Sequence, residues 1–190
     1  MTYVETAASP ASVLDGVRRA TRDAHARLED RLDALGQLAD PRRRPDLIRR
    51  YAAFYIPADA ALFPHLGNVE GLAFASRSRA GFLQGFAGAG PLPAFPRPRS
   101  RAEALGLLYV LEGSSLGGRM LLRALADRGV EDPALAFLDP YGADTGALWR
   151  GFLTVLERDA GWQPGGGVAA ATGAVRGFAH AEALLCRVRA

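Results

Sequence analysis

The sequence contains no lysine, one cysteine, two methionines, two tryptophans and three histidines. A single Cys186 cannot build a disulfide framework or a cysteine-rich metal site. No run approaches the ~18 uncharged apolar residues of a membrane-spanning helix. Met1 to Pro10 has neither the basic start nor the apolar run of a signal peptide, so a reducing cytoplasm is the expected compartment. The 22 glycines and 12 prolines recur at no fixed period, which excludes collagen-like and solenoid folds. All 23 basic residues are arginine, against 20 acidic ones. The net charge of +3 is small and the arginines are spread over several segments, so no nucleic-acid partner is expected. The wholesale use of arginine reads as compositional bias as much as function.

What remains is a globular composition: 190 residues, 49% hydrophobic and 23% charged, enough for one domain with a real core. Residues 1–10 read as a flexible tail and 11–190 as a single helical domain. Val13, Val17, Ala20, Ala24, Leu28, Leu32 and Leu35 step by three and four, which predicts an amphipathic helix with Ser12 at its start and Gly36 at its stop. A second helix is expected from Asp46, kinked or divided at Pro57 and again at Pro64. A short helix over 76–86 should turn Phe82, Leu83 and Phe86 inward, and the prolines at 91, 93, 96 and 98 make a stiff connector. A long helix opens at Ser100, with Glu103 in capping-box register, and ends before Gly129. Thr145–Arg158 and Val168–Val188 read as two more helices, joined by a flexible Gly165-Gly166-Gly167 link. No alternating strand is visible. The fold class is all-α, one bundle of six or more helices.

Two features ask for a chemical explanation. The first is Gly113-Ser114-Ser115-Leu116-Gly117-Gly118 in mid-helix, where three glycines together cost roughly 3 kcal/mol against alanine. They allow either the close approach of a neighbouring helix or a backbone that almost touches a flat ligand, and the sequence leaves both open. A phosphate cradle is excluded, because neither a preceding strand nor the required Lys is present. The second is His25, with Glu29 one turn on and Arg18 two turns back, ~10 Å away. Such a histidine is either a solvated structural residue or a metal ligand whose second ring nitrogen is held by a carboxylate. His65 and His180 have no comparable surroundings. There is no Glu-x-x-His pair for a di-iron site and no second histidine at zinc spacing. Cys186 has no histidine near it in sequence to make it a nucleophile.

Both features fit one pattern. Leu14 to Glu29, LDGVRRATRDAHARLE, resembles the proximal helix of heme oxygenases, and Leu108 to Arg119, LYVLEGSSLGGR, resembles their glycine-bearing distal helix, about 90 residues downstream. The Tyr141-Gly142 turn and the Phe178 region are also similar to that family, and the E-G-S-S-L-G-G wording most resembles small bacterial members that supply biliverdin to bacteriophytochromes. The resemblance implies an all-α heme oxygenase-like bundle that sandwiches heme b, at once cofactor and substrate, between the first and fourth helices. It implies that His25 is the axial ligand of the iron, that Glu29 orients it, and that Arg18 pairs with a heme propionate. Gly113 and Gly117 would lie against the distal face with Gly118 beside them, and Arg176 is taken as the C-terminal propionate partner. The implied reaction consumes O2 and electrons from an external donor, a ferredoxin or a reductase, and yields biliverdin, CO and ferrous iron. Animal members carry an Asp directly after the first distal glycine, where it organises water; here Ser114 stands in that place. That departure admits a non-catalytic heme carrier of the same fold as an alternative. A third reading is a bundle used only for protein contacts.

Overall fold

The structure, a computed structural model, describes residues 12–187; the tail expected over 1–10 lies outside them. The described residues form seven α-helices and no strand. These are α1 (Val13–Leu32), α2 (Ala34–Ala39), α3 (Arg44–Leu66), α4 (Ala80–Leu83), α5 (Arg101–Ala126), α6 (Thr145–Gly161) and α7 (Gly166–Leu185), with short 3-10 turns between several of them. The all-α expectation holds. No helix among them is long and apolar enough to cross a membrane.

The last helix is the hub. α5 and α1 both pack chiefly on α7, and hardly on one another. Small residues make the α5–α7 contact intimate: a Cβ on Gly106 would strike the Ala170 carbonyl, and one on Gly173 would strike the Glu103 carbonyl. Leu105, Leu107, Ala170 and Ala174 fill the seam and are solvent-free. Because α1 and α5 lean on the same neighbour without closing on each other, a slot is left between them.

Helix ends follow from local chemistry. The Ser12 hydroxyl accepts from the Asp15 N–H at 3.1 Å, as the sequence predicts. The following turn is completed from far away: the Glu157 carboxylate on α6 accepts from the Val13 and Leu14 N–H groups at 3.0 and 2.9 Å. At the start of α5 the Ser100 hydroxyl accepts from the Glu103 N–H at 3.2 Å. The Glu103 carboxylate accepts in return from the Arg99 N–H at 2.7 Å, one residue before the cap.

Four local expectations are corrected. The first helix stops at Asp33, in the left-handed region with φ 43°, and not at Gly36. Asp is among the few side chains that tolerate that conformation, and its carboxylate accepts from the Gly36 N–H at 3.2 Å, capping α2. α3 is not divided at Pro57 or Pro64 but continues to Leu66. Each proline removes one donor, but Phe54, Tyr55, Ala58 and Leu62, all buried around Pro57, hold the helix together by packing. The segment around residue 82 is α4 followed by a 3-10 turn, so its phase shifts; Leu83 is buried but Phe82 is 43% exposed. Gly165-Gly166-Gly167 is no loose link: Gly165 caps α7 with φ 74° and the other two form its first turn. Gly166 is required there, because a side chain would strike the Ala160 carbonyl.

Candidate functional site

The middle of α1 is poorly covered. Between Thr21 and Leu32 none of its residues is buried, and Ala24 and Leu28, on its apolar seam, stay half-buried. This uncovered stretch carries His25, whose side chain is 56% exposed. The His25 Nδ1 lies 3.3 Å from Oε2 of Glu29, which leaves Nε2 free to meet a ligand. The His25 ring rests edge-on against Phe178 of α7, with centroids 5.5 Å apart. A cleft of about 480 Å³ opens beside it, lined by Arg18, Arg19, Thr21, Arg22, His25 and Tyr109. Tyr109 belongs to α5, so the cleft has a wall from each of the two helices.

On α5, Tyr109, Gly113 and Gly117 fall at i, i+4 and i+8, one face of the helix. A Cβ on Gly117 would meet nothing within 4 Å, and one on Gly113 would rest 3.8 Å from Cη2 of Trp149. Gly117 is therefore not required for helix packing, and Gly113 faces Trp149 of α6 at ordinary contact distance. Gly118 is different, since a Cβ there would collide with the Leu138 carbonyl. The close-approach reading of the glycines thus describes Gly118; a side chain at Gly117 would enter open space and one at Gly113 would touch Trp149.

Behind this face lies a buried polar chain. Arg79 is only 4% exposed. Its guanidinium donates to the Tyr55 hydroxyl at 2.7 Å and to the Leu111 carbonyl at 2.8 Å, and it also donates to the Ser115 hydroxyl. It stacks over the Tyr55 ring at 4.4 Å from the centroid. The Tyr55 and Ser114 hydroxyls are 2.7 Å apart, and Ser114 donates to the Leu111 carbonyl at 2.6 Å. Tyr55 is therefore the donor of the pair. A void of about 10 Å³, near the lower limit for one water, is lined by Tyr55, Asp59, Arg77, Arg79 and Glu112 among others. Burial raises the pKa of Asp59 from its ordinary value, against the hydrogen bond from Ser78.

A second buried group braces the same region. Arg77 pairs with Glu112, the residue before Gly113, and donates to the Leu72 and Leu148 carbonyls at 2.7 and 3.3 Å. The Tyr141 hydroxyl donates to Glu112 at 2.7 Å. Burial and the adjacent carboxylate hold that phenol in its neutral form well above its ordinary range.

Of the residues the sequence singles out, Arg18 and His25 line the cleft, Glu29 sits beside His25, and Gly113 and Gly117 share the α5 face that Tyr109 extends into the cleft. Arg176 is elsewhere. It pairs with Glu103 and donates to the Arg97 carbonyl at 3.2 Å, at the N-terminal end of α5. His180 is wedged between Phe54 and Phe95, and burial pushes its pKa down. Among the described residues no group of three His, Cys, Asp or Glu that could hold a metal ion converges. Tyr55, Arg79, Tyr109 and Trp149 escape a sequence reading. Tyr55 looks like core, and Arg79 lies in Ser-Arg-Ser-Arg, which reads as a solvated loop.

No family model matches the chain. A stretch of 66 residues is 42% identical to a protein of Xanthomonas campestris pv. campestris (strain 8004) named "Heme oxygenase". The match spans 33% of this chain and 38% of that protein.

Proposed function

We propose that the chain binds heme in the slot between α1 and α5 and opens its ring with O2 and externally supplied electrons, releasing biliverdin, CO and ferrous iron. The observation that carries this reading is a cleft lined by His25 and Arg18 of α1 and by Tyr109 of α5, the last on the same helix face as Gly113 and Gly117. The partial relative's name supports it independently. The residues fit the group: a free imidazole nitrogen for iron, side-chain-free backbone for a planar ring, and arginines for carboxylates.

Heme, when bound, supplies the iron that activates O2 and the ring that is oxidised. His25 Nε2 would hold the iron. Glu29 orients the ring through Nδ1, but at 3.3 Å and with its side chain 69% exposed this is a weak contact. Arg18 anchors a propionate, and Arg19 and Arg22 add positive potential along the same wall. Gly113 and Gly117 would present backbone without acidic or basic side chains to the face of the group opposite His25. Ser114 Oγ, whose own proton goes to the Leu111 carbonyl, would act as an acceptor that fixes an ordered water. Arg79, a buried cation, makes the Tyr55 hydroxyl a better donor, and Tyr55 passes that polarity to Ser114. This pair takes over the water-organising task that an Asp performs in animal heme oxygenases. The electron donor is a ferredoxin or a reductase, and a bacteriophytochrome is the acceptor we assign for the biliverdin.

Hemin titration of the wild type and His25→Ala tests the reading. Wild type should give a saturable, histidine-ligated Soret band. The variant should bind more weakly with a shifted band. Identical spectra would move the ligand away from His25 and remove the basis of the proposal.

A further inference from the structure

We propose that Arg77 is a positioning residue whose buried pair with Glu112 locks the glycine-bearing part of α5 against α6, so that this stretch of helix keeps one position; its consequence for heme rests on the reading above. The need for such a lock is visible in α5 itself. From Ala102 to Leu111 the helix is anchored by buried apolar side chains, and the next buried one is Leu125. Between them the buried residues are Glu112, Ser115 and Gly118. Apolar burial stabilises in proportion to the area removed from water, so it holds α5 most firmly at its two ends.

Polar contacts from one short turn hold the middle. Arg77 and Arg79 lie at and just after the 3-10 turn Phe74–Arg77, and both are buried. Arg79 donates to the Leu111 carbonyl and the Ser115 hydroxyl. Arg77 pairs with Glu112, which lies between those two, and the paired side chains are 2% and 3% exposed. The Arg77 guanidinium reaches further. It donates to the Leu72 carbonyl at 2.7 Å and to the Leu148 carbonyl of α6 at 3.3 Å. One planar fork thus ties three segments, a geometry that a lysine ammonium on its flexible stem does not reproduce. Tyr141 ties in a fourth, by donating to the other oxygen of Glu112 at 2.7 Å. The seam closed in this way brings Trp149, next to Leu148, to the side of Gly113, next to Glu112. A buried ion pair adds little net stability over an apolar pair of similar volume. Its directional bonds fix position instead.

The first readout needs no heme. Trp149 is half-buried at the seam and Trp162, the other tryptophan, is 88% exposed. In a Trp162→Phe background the fluorescence of the apo protein therefore reports Trp149 alone. Arg77→Lys keeps a charge beside Glu112 but loses the fork. Its apo melting temperature should stay within a few degrees of the parent, while acrylamide quenching of Trp149 rises several-fold. Tyr141→Phe removes one hydroxyl and no charge. It should shift quenching the same way by less, and it keeps the series decisive if Arg77→Lys folds poorly. The hemin complexes, reduced under CO, supply the second readout. The parent should give a single narrow C–O stretching band and Arg77→Lys a split or broadened one, both with a histidine-ligated Soret band. Quenching unchanged in both variants would overturn the lock. Altered quenching with an unaltered C–O band would overturn its bearing on heme. A parent that never gives a histidine-ligated Soret band would overturn the heme reading, and the quenching series would still decide the lock.

Discussion

The hydroxyls of Tyr55 and Ser114 lie 2.7 Å apart, and they join α3 to the distal glycine segment. The Arg79 guanidinium donates to Tyr55, so a buried positive charge stands one hydroxyl away from Ser114. Tyr55→Phe removes the bridge, leaves Arg79 short of an acceptor and should cost about 1 kcal/mol of stability. Ser114→Ala should cost a similar amount. Urea denaturation of the apo protein measures the stabilities. Biliverdin formed per heme should fall in both variants, with hemin affinity near that of wild type. Unchanged yield in both would mean that the chain is structural only.

Gly117 and Gly118 are neighbours with opposite expectations. Gly118→Ala forces a methyl into the Leu138 carbonyl and should destabilise the apo protein by ~1–3 kcal/mol. Gly117→Leu meets nothing within 4 Å in the apo protein and removes a glycine from a helix, so apo stability should hold or rise by up to ~1 kcal/mol. Hemin affinity and biliverdin yield should nevertheless collapse. Apo melting temperature and hemin titration, run on both variants, check the pair.

Glu157 fixes the start of the histidine-bearing helix. Its carboxylate receives the Val13 and Leu14 N–H groups and complements the positive end of the α1 dipole. Glu157→Ala should cost ~1 kcal/mol, seen as a fall of about 2–4 °C in melting temperature. Glu157→Gln keeps an acceptor and should lose less.

Glu103 gives the fold an acid-sensitive tie. Burial alone would raise its carboxyl, but the Arg99 N–H and the Arg176 guanidinium outweigh it and hold the pKa below the ordinary 4.5. A carboxyl lowered on folding stabilises the fold above its unfolded pKa, and that contribution disappears as pH falls through the folded value. Stability should therefore drop on acidification below about pH 4.5. Glu103→Gln should flatten this drop without abolishing it, because Asp132 is lowered by Ala134 and Arg44 in the same way. Chemical denaturation at several pH values measures the slope.

The sequence showed every long helix, because each carries an apolar stripe of helical period. It also singled out Arg18 and His25, which line one cleft together with Tyr109, because their spacing along a single helix is visible in sequence. What it hid depends on tertiary placement. Asp33 ends α1 by adopting a left-handed conformation, a device that looks like any other acidic residue in sequence. Arg176 was paired with a propionate, but Glu103 claims it through a contact spanning 73 positions. Arg79 became the buried cation of the distal chain only because α3 and α5 close around it. Gly118 could not be told from Gly117 until the loop bearing Leu138 was in place.

The account turns on whether bound heme is opened. The wild-type hemin complex, given a ferredoxin-based electron supply and O2, is to be followed through its Soret band and the red absorption of the product, with CO collected. Loss of the Soret band in step with biliverdin formation, one CO released for each heme, is the predicted result. A Soret band that persists while electrons and O2 are consumed would contradict it and leave a heme carrier.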